Sequence, residues 1–267
     1  MIRKSVWAGQ FYDSNPVKLR KQLELLLTSE EQPSNAIGII SPHAGYVYSG
    51  KVAAVTYAKI TIPSSVIILC PNHYGLGADA AVYSSGSWET PLGTIPVNES
   101  LCEALLNNCS ILKTDNTAHS REHSLEVQLP FIQMKTDNFS IVPICLKHLN
   151  LVQCKTIGSS LANIVKPHQN EILIIASSDM SHYESQDTAE KLDRLALESY
   201  TSMNPENFFQ TIQKYQISMC GFIPATCLLY AALDLGATRI QTVKYMTSGE
   251  VSGDYSRVVG YAGLIIS

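Results

Sequence analysis

Apolar positions along the chain fall into two alternating patterns. Short β-branched runs occupy 37–41 (IGIIS), 66–70 (VIILC), 141–146 (IVPICL), 172–176 (ILIIA) and 262–266 (AGLII). Continuous runs of this length, bounded by turn residues, predict strands covered on both faces. Weaker strands are expected at 80–83 and 240–246. Helical spacing appears between the runs. Leu19, Leu23, Leu26 and Leu27 form one stripe, and Val52, Val55 and Tyr57 to Ala58 a second. Leu125, Val127 and Leu129 through Ile132 predict a third helix, which must accommodate Pro130. Residues 187–202 are charged and amphipathic. Pro224 stands where a first helical position belongs, with Gly236 as a stop. Strands alternating with helices give an α/β layered sandwich, its central β-sheet mostly parallel or mixed and flanked by helices. No repeat, low-complexity run or linker interrupts the pattern, so one domain spanning 1–267 is expected.

Composition narrows the function. With 45% apolar and 16% charged residues, the 267-residue chain is no disordered segment. Nineteen Lys and Arg against 23 Asp and Glu give a net charge of −4, without a basic stripe, so nucleic acid is not an expected partner. No run approaches the ~18 apolar residues of a membrane span. The opening MIRKSVWAGQFYDSNP has a basic pair but no apolar core of a signal peptide, which points to the cytoplasm and away from membranes. Seven cysteines without a CxxC read as free, mostly buried thiols.

The chemistry sits at strand ends, where open α/β sheets build their sites. The first strand runs into Ser41-Pro42-His43-Ala44-Gly45-Tyr46, the next into Pro71-Asn72-His73-Tyr74-Gly75, and the 172–176 strand into Ser177-Ser178-Asp179-Met180-Ser181-His182. One such histidine ordinarily bonds a backbone carbonyl. Three in equivalent places suggest a metal or a general base, because imidazole is the commonest transition-metal ligand and titrates near neutrality. Asp179 could be a ligand, could orient His182, or could cap a following helix. Cys220 precedes the helix that contains Pro224. A helix N-terminus favours the thiolate, so Cys220 is either a soft ligand or a buried small hydrophobe.

Other motifs are weaker. His119-Ser-Arg-Glu122-His123 matches the H-x-x-E-H of inverted zinc proteases, but a helix starting near Ser120 or Arg121 would leave His119 outside it. Glu122, His123 and Glu126 are polar at a helix start and could line the cleft. Gly75-Leu-Gly77-Ala-Asp-Ala80 imitates a dinucleotide fingerprint, yet a strand-like run follows it instead of a helix. Tyr255 stands just before the last strand and could overhang the crevice.

Together, SPHAGYVYSG (41–50), PNHYG (71–75), EHSLEVQLPFI (122–132), SSDMSHY (177–183), MCGF (219–222) and SGDYSRVVGYAG (252–263) resemble the Memo (mediator of cell motility) family, and VWAGQFYDSNP (6–16) is similar to its usual start. The resemblance runs over essentially the whole chain. It implies a fold like that of class III extradiol dioxygenases, which hold non-haem iron(II) with two histidines and a glutamate. By motif, His43 and His73 would be metal ligands and Cys220 would replace the glutamate. His182 would be the acid–base histidine, with Asp179 beside it. Tyr46, Tyr74, His123, Glu126 and Tyr255 would line the pocket. A thiolate shifts preference toward copper, zinc or electron-rich iron, so ring cleavage does not follow. The resemblance implies one iron(II) or copper ion per chain, with zinc as an alternative, and redox or oxygen-handling chemistry on a small molecule or peptide. It further suggests pathway partners of the AMMECR and radical SAM types. A homodimer is a further expectation. The rival readings are a non-catalytic module that binds a phosphopeptide or anion in the vestigial pocket, and a zinc-dependent hydrolase.

Overall fold

The computed structural model describes residues 1–28 and 32–267. The chain opens with β1 (Ile2–Arg3) and α1 (Pro16–Leu26). Strand β2 (Gly38–Ser41) runs into α2 (Tyr46–Ala58), and β3 (Ser65–Pro71) into a loop returning through β4 (Ala80–Val82). Next come β5 (Ser87–Thr90), β6 (Gly93–Pro96), α3 (Glu99–Asn108) and β7 (Lys113–Thr114). An irregular stretch leads to α4 (Leu129–Gln133), β8 (Ser140–Leu146), α5 (Leu151–Val165) and β9 (Ile172–Ser177). The last elements are β10 (His182–Glu184), α6 (Gln186–Thr201), α7 (Pro205–Lys214), α8 (Phe222–Asp234), β11 (Ile240–Thr247), α9 (Gly249–Ser252) and β12 (Val258–Ile266).

Nine strands form the main sheet, in the order β10-β12-β2-β9-β3-β8-β4-β7, with β11 along the other edge of β12. Neighbours β2, β9, β3 and β8 are parallel, whereas β12 and β4 run against them, so the sheet is mixed. Every residue of β2, β3 and β9 is buried, which is why those segments read as unbroken apolar runs. Helix α8 packs on β2, β9 and β3, with α5 against it, and α2 and α6 pack on β11 and β12. Gly158 permits the close approach of α5 to α8: a Cβ there would stand 2.5 Å from Tyr230 Cβ and 2.7 Å from the Cys227 carbonyl. Six cysteines are buried, Cys220 is partly exposed, and all are free. Among the described residues no helix is long and apolar enough to cross a membrane.

Some expectations are corrected. Residues 125–132 do not form one helix. A 3-10 turn spans Glu126–Gln128, and α4 begins afresh at Leu129 with Pro130 in its first turn. Proline has no N–H and collides with a preceding turn, so it restarts the helix instead of extending it. Pro224 is the third residue of α8, still within the turn whose N–H groups lack helical partners. Gly236 does end that region, at φ +85°. Helices α3, α5 and α7, and the small sheet β1-β5-β6, lie outside the sequence expectation.

The N-terminus is stitched down by one buried carboxylate. Glu126 pairs with the Arg3 guanidinium and accepts the N–H groups of Val6 (3.1 Å) and Trp7 (2.9 Å) and the hydroxyl of Tyr12 (2.6 Å). Arg3 also donates to the carbonyls of Lys4, His119 and Glu122.

Candidate metal centre

Three neighbouring parallel strands end at one level. Ser41 pairs with Ser177 and Leu69 with Ala176, so the loops after β2, β3 and β9 leave the sheet side by side. They deliver His43, His73 and Asp179. A fourth segment crosses the same edge. Gln128 Nε2 donates to the carbonyls of Ser41 (3.3 Å) and Pro42 (3.0 Å), and Ser124 Oγ to that of Pro71 (3.3 Å). This docking brings His123 against His43 and His73, with ring centroids 5.4 and 4.7 Å away. One donor atom from each of the three histidines lies within 4.8 Å of the others.

His43 and His73 are held from behind by hydrogen bonds. His43 Nδ1 is 2.9 Å from Ser177 Oγ, and its backbone N–H donates to Asp179 Oδ1 at 2.7 Å. Glu122 accepts from the His73 backbone N–H (2.7 Å) and lies 2.8 Å from His73 Nδ1. Burial pushes the Glu122 pKa up, but the hydrogen bond and charge of His73, His123 and the Ser124 N–H outweigh it and hold the carboxyl down at about 2. Glu122 is therefore an acceptor, and His73 Nδ1 carries a proton toward it. Burial, and then the neighbouring His73, keep the His43 pKa well below its ordinary value. Burial and His43 press that of His123 down to about 3. His123 Nδ1 is buried without a hydrogen-bond partner. Phe11 and Trp7 wall it in, at centroid distances of 4.5 and 5.7 Å.

Cys220 meets this group across the cleft: its Sγ is 3.2 Å from His43 Nε2 and accepts the Asp179 N–H at 3.3 Å. Burial, and then the Asp179 carboxylate, raise the thiol's pKa, and these outweigh any pull from the α8 N-terminus. Asp179 caps no helix, because β10 follows it. No hydrogen bond joins it to His182 among the described residues. Its bond to the His43 N–H fixes the 42–44 loop, and its Oδ2 stands 3.9 Å from His43 Nε2. His182 is oriented by Ser218 instead: its N–H donates to Ser218 Oγ (2.8 Å), and Nδ1 lies 2.9 Å from the Ser218 carbonyl. A carbonyl only accepts, so Nδ1 is protonated and Nε2 is free.

The other expected residues sort by burial. Tyr74 is 41% exposed and stacks on Trp7 at 6.2 Å, flanking the histidines. Tyr46 is buried, with its hydroxyl on the Val127 carbonyl at 2.6 Å. Glu126 is wholly buried and spends its oxygens on the N-terminal segment. Tyr255 is half exposed and packs over Gly249. The H-x-x-E-H match dissolves. Residues 120–125 are not helical, and His119 closes a separate 3-10 turn (Thr117–His119), buried with Nε2 3.2 Å from the Ala81 carbonyl, between Tyr83 and Trp88. Sequence reasoning placed His123 on the pocket wall and did not foresee the supports Glu122, Ser177 and Gln128. The signal for Glu122 and Gln128 was the density of polar residues in 122–128, just before the apolar run 129–132, and for Ser177 its place at the end of the 172–176 run.

The geometry fits a metal ion: three imidazoles converge, the Nδ1 atoms of His43 and His73 are tied from behind, and a sulfur lies beside them. Around one ion, nitrogens bound at about 2.1 Å stand roughly 3–3.5 Å apart, so small rotamer changes close the group.

A model of the family described as Memo-like protein matches residues 3–265. A MEMO1 family protein of Methanopyrus kandleri is 38% identical over 279 residues, covering 99% of each chain. One from Thermotoga maritima is 40% identical over 281 residues, covering both chains completely. An uncharacterized protein of Escherichia coli K12 has a similar fold, with a TM-score of 0.60 at 12% identity over 85% of this chain and 98% of its own. Family model and relatives span almost every residue of the sheet and of the histidine cluster, and the chain belongs to the Memo-like family.

Proposed function

We propose that this protein binds one iron(II) or copper ion through His43, His73 and His123, with Cys220 as a further ligand, and carries out redox or oxygen-handling chemistry on a small molecule or peptide. The convergence of three imidazoles within 4.8 Å, that of His43 buried, that of His123 half-buried and that of His73 open to the cleft, carries the proposal. The lowered pKa values of His43 and His123 mean that no proton need be displaced from either ring's ligating nitrogen near neutrality. A bound ion would supply electron exchange and Lewis acidity at the strand ends, and its charge would favour the Cys220 thiolate that burial now disfavours. His182, with its Nδ1–H held by Ser218, has a free Nε2 that can take or give a proton. Asp179 holds the His43 loop. Trp7 and Tyr74 form the wall that a substrate passes.

The test is metal content after anaerobic purification. The expected result is about one iron or copper ion per chain, lost in His43→Ala and in His123→Ala, lowered in Cys220→Ser and unchanged in His182→Gln. Unchanged stoichiometry in His43→Ala or His123→Ala, or a wild-type protein that takes up neither iron, copper nor zinc, would refute the proposal.

A further inference from the structure

Behind His43 lies a chain of polar side chains that never reaches solvent. Tyr57, Ser124, Gln128 and Ser177 are all fully buried. Their hydrogen bonds admit one arrangement. The Ser177 hydroxyl has a single proton, and it donates that proton to the Ser124 carbonyl at 2.6 Å, since a carbonyl can only accept. The Gln128 amide is fixed as well. Its Nε2 faces the carbonyls of Ser41 and Pro42, and its Oε1 receives the Tyr57 hydroxyl at 2.9 Å. A flipped amide would set Oε1 against two carbonyl oxygens. Gln128 Nε2 therefore also donates to Ser177 Oγ, at 2.8 Å. Ser177 Oγ is left with a lone pair toward His43 Nδ1, 2.9 Å away.

We infer that Ser177, braced by Gln128, is a positioning residue that holds His43 in the Nδ1–H tautomer and presents its bare Nε2 to the cleft. His73 reaches the same state through a carboxylate, Glu122. His43 reaches it through a neutral hydroxyl whose own proton is already committed. The device adds no charge to a buried site that already contains Glu122 and Asp179. It also makes the tautomer depend on Gln128. Without that amide only the Ser124 carbonyl directs the Ser177 hydroxyl, and wherever the hydroxyl turns to donate to Nδ1 instead, the imidazole proton moves to Nε2, against Cys220.

The tautomer follows from the hydrogen bonds alone, and only its consequence for metal uptake rests on the proposed function. Two readouts separate them. Long-range 15N–1H correlation spectra of the metal-free full-length protein, assigned with a His43→Gln variant, report which His43 nitrogen is protonated. Titration with zinc chloride, a redox-silent probe, reports affinity. The expected result is a protonated Nδ1 in the unsubstituted protein. Ser177→Ala should shift His43 toward Nε2–H and weaken zinc binding about 10- to 100-fold. Gln128→Met should give mixed tautomers, and Ser177→Thr, which keeps the hydroxyl, should retain Nδ1–H. A dominant Nε2–H in the unsubstituted protein overturns the inference, and that spectrum decides the matter even where a variant fails to fold. Ser177→Ala with unchanged tautomer and zinc affinity overturns it too. If the unsubstituted protein ignores iron, copper and zinc alike but the tautomers behave as expected, the positioning role stands and the metal-binding proposal falls.

Discussion

Replacing Glu126 by Gln keeps the side chain's shape and removes the charge facing Arg3. In the native protein both residues are buried, and the carboxylate satisfies two backbone N–H groups and the Tyr12 hydroxyl as well as the guanidinium. After substitution Arg3 keeps its three carbonyls and loses its counter-charge. Removing one partner of a buried pair costs about 3–5 kcal/mol. The new amide also points a donor at groups that are themselves donors. An unsatisfied buried donor costs about 1–3 kcal/mol, although water entry recovers part of that. A net loss of about 4 kcal/mol is expected, a large share of the ~5–15 kcal/mol of a typical fold. At about 2–4 °C per kcal/mol for a chain approaching this size, Tm should fall by about 8–16 °C. Circular dichroism against temperature and urea measures this, and hydrogen exchange should show the Val6 and Trp7 amides losing protection. The decisive comparison is the double variant Arg3→Met, Glu126→Gln, which removes the stranded cation and should be more stable than Glu126→Gln alone. A single-variant loss below about 1 kcal/mol, or a double variant no more stable than the single, would refute the clamp.

Stability should fall on acidification well before the carboxylates of an ordinary protein titrate. His43, His119 and His123 have folded pKa values below the ordinary 6.5, His119 at about 4 and His123 at about 3, because burial disfavours their charged forms. The unfolded chain therefore takes up protons first, and stability that is complete above about pH 6.5 erodes below it by up to ~1.4 kcal/mol per pH unit for each histidine. Asp179 and Asp193, raised by burial, work the other way, so the slope stays under three protons. Glu122 contributes nothing to this window, since its depressed pKa is felt only as pH drops from about 4.5 toward 2. Urea midpoints from pH 7 to 5 check the sign, and a flat profile contradicts it. In Gly221→Ala the new Cβ would stand 2.3 Å from the Ser177 carbonyl and 2.5 Å from Ser178 Cβ. A cost of about 1–3 kcal/mol is expected, together with weaker zinc binding as Cys220 is displaced; unchanged thermal stability and zinc affinity would count against it.

Strands were legible wherever both faces are covered, because burial alone writes the run of Ile, Val and Leu. Their site-bearing ends were legible too, since the turn residues around His43, His73 and Asp179 mark where the chain leaves the sheet. The third histidine was not. His123 sits in an irregular stretch with no period to read, and it reaches the cluster only because Gln128 and Ser124 bond carbonyls at the ends of β2 and β3. The surroundings of the Cys220 thiol were hidden for a related reason. A dipole argument sees one helix, whereas the burial and nearby carboxylate that outweigh it come from other parts of the chain. Glu126 looked like a pocket residue because it stood among polar residues at an expected helix start, and its partners are more than a hundred positions earlier.

Cys220 and His43 touch although 177 residues separate them. Contacts this distant in sequence are costly to close and tend to form late in folding. The loop carrying His43 follows β2, and β2 lies between β9 and β12, so its support is complete only once residue 266 has been synthesised. No fragment emerging from a ribosome can gather the four side chains. Any ion that settles there must choose a finished molecule over a nascent one, and in doing so it draws the population toward the native state by mass action.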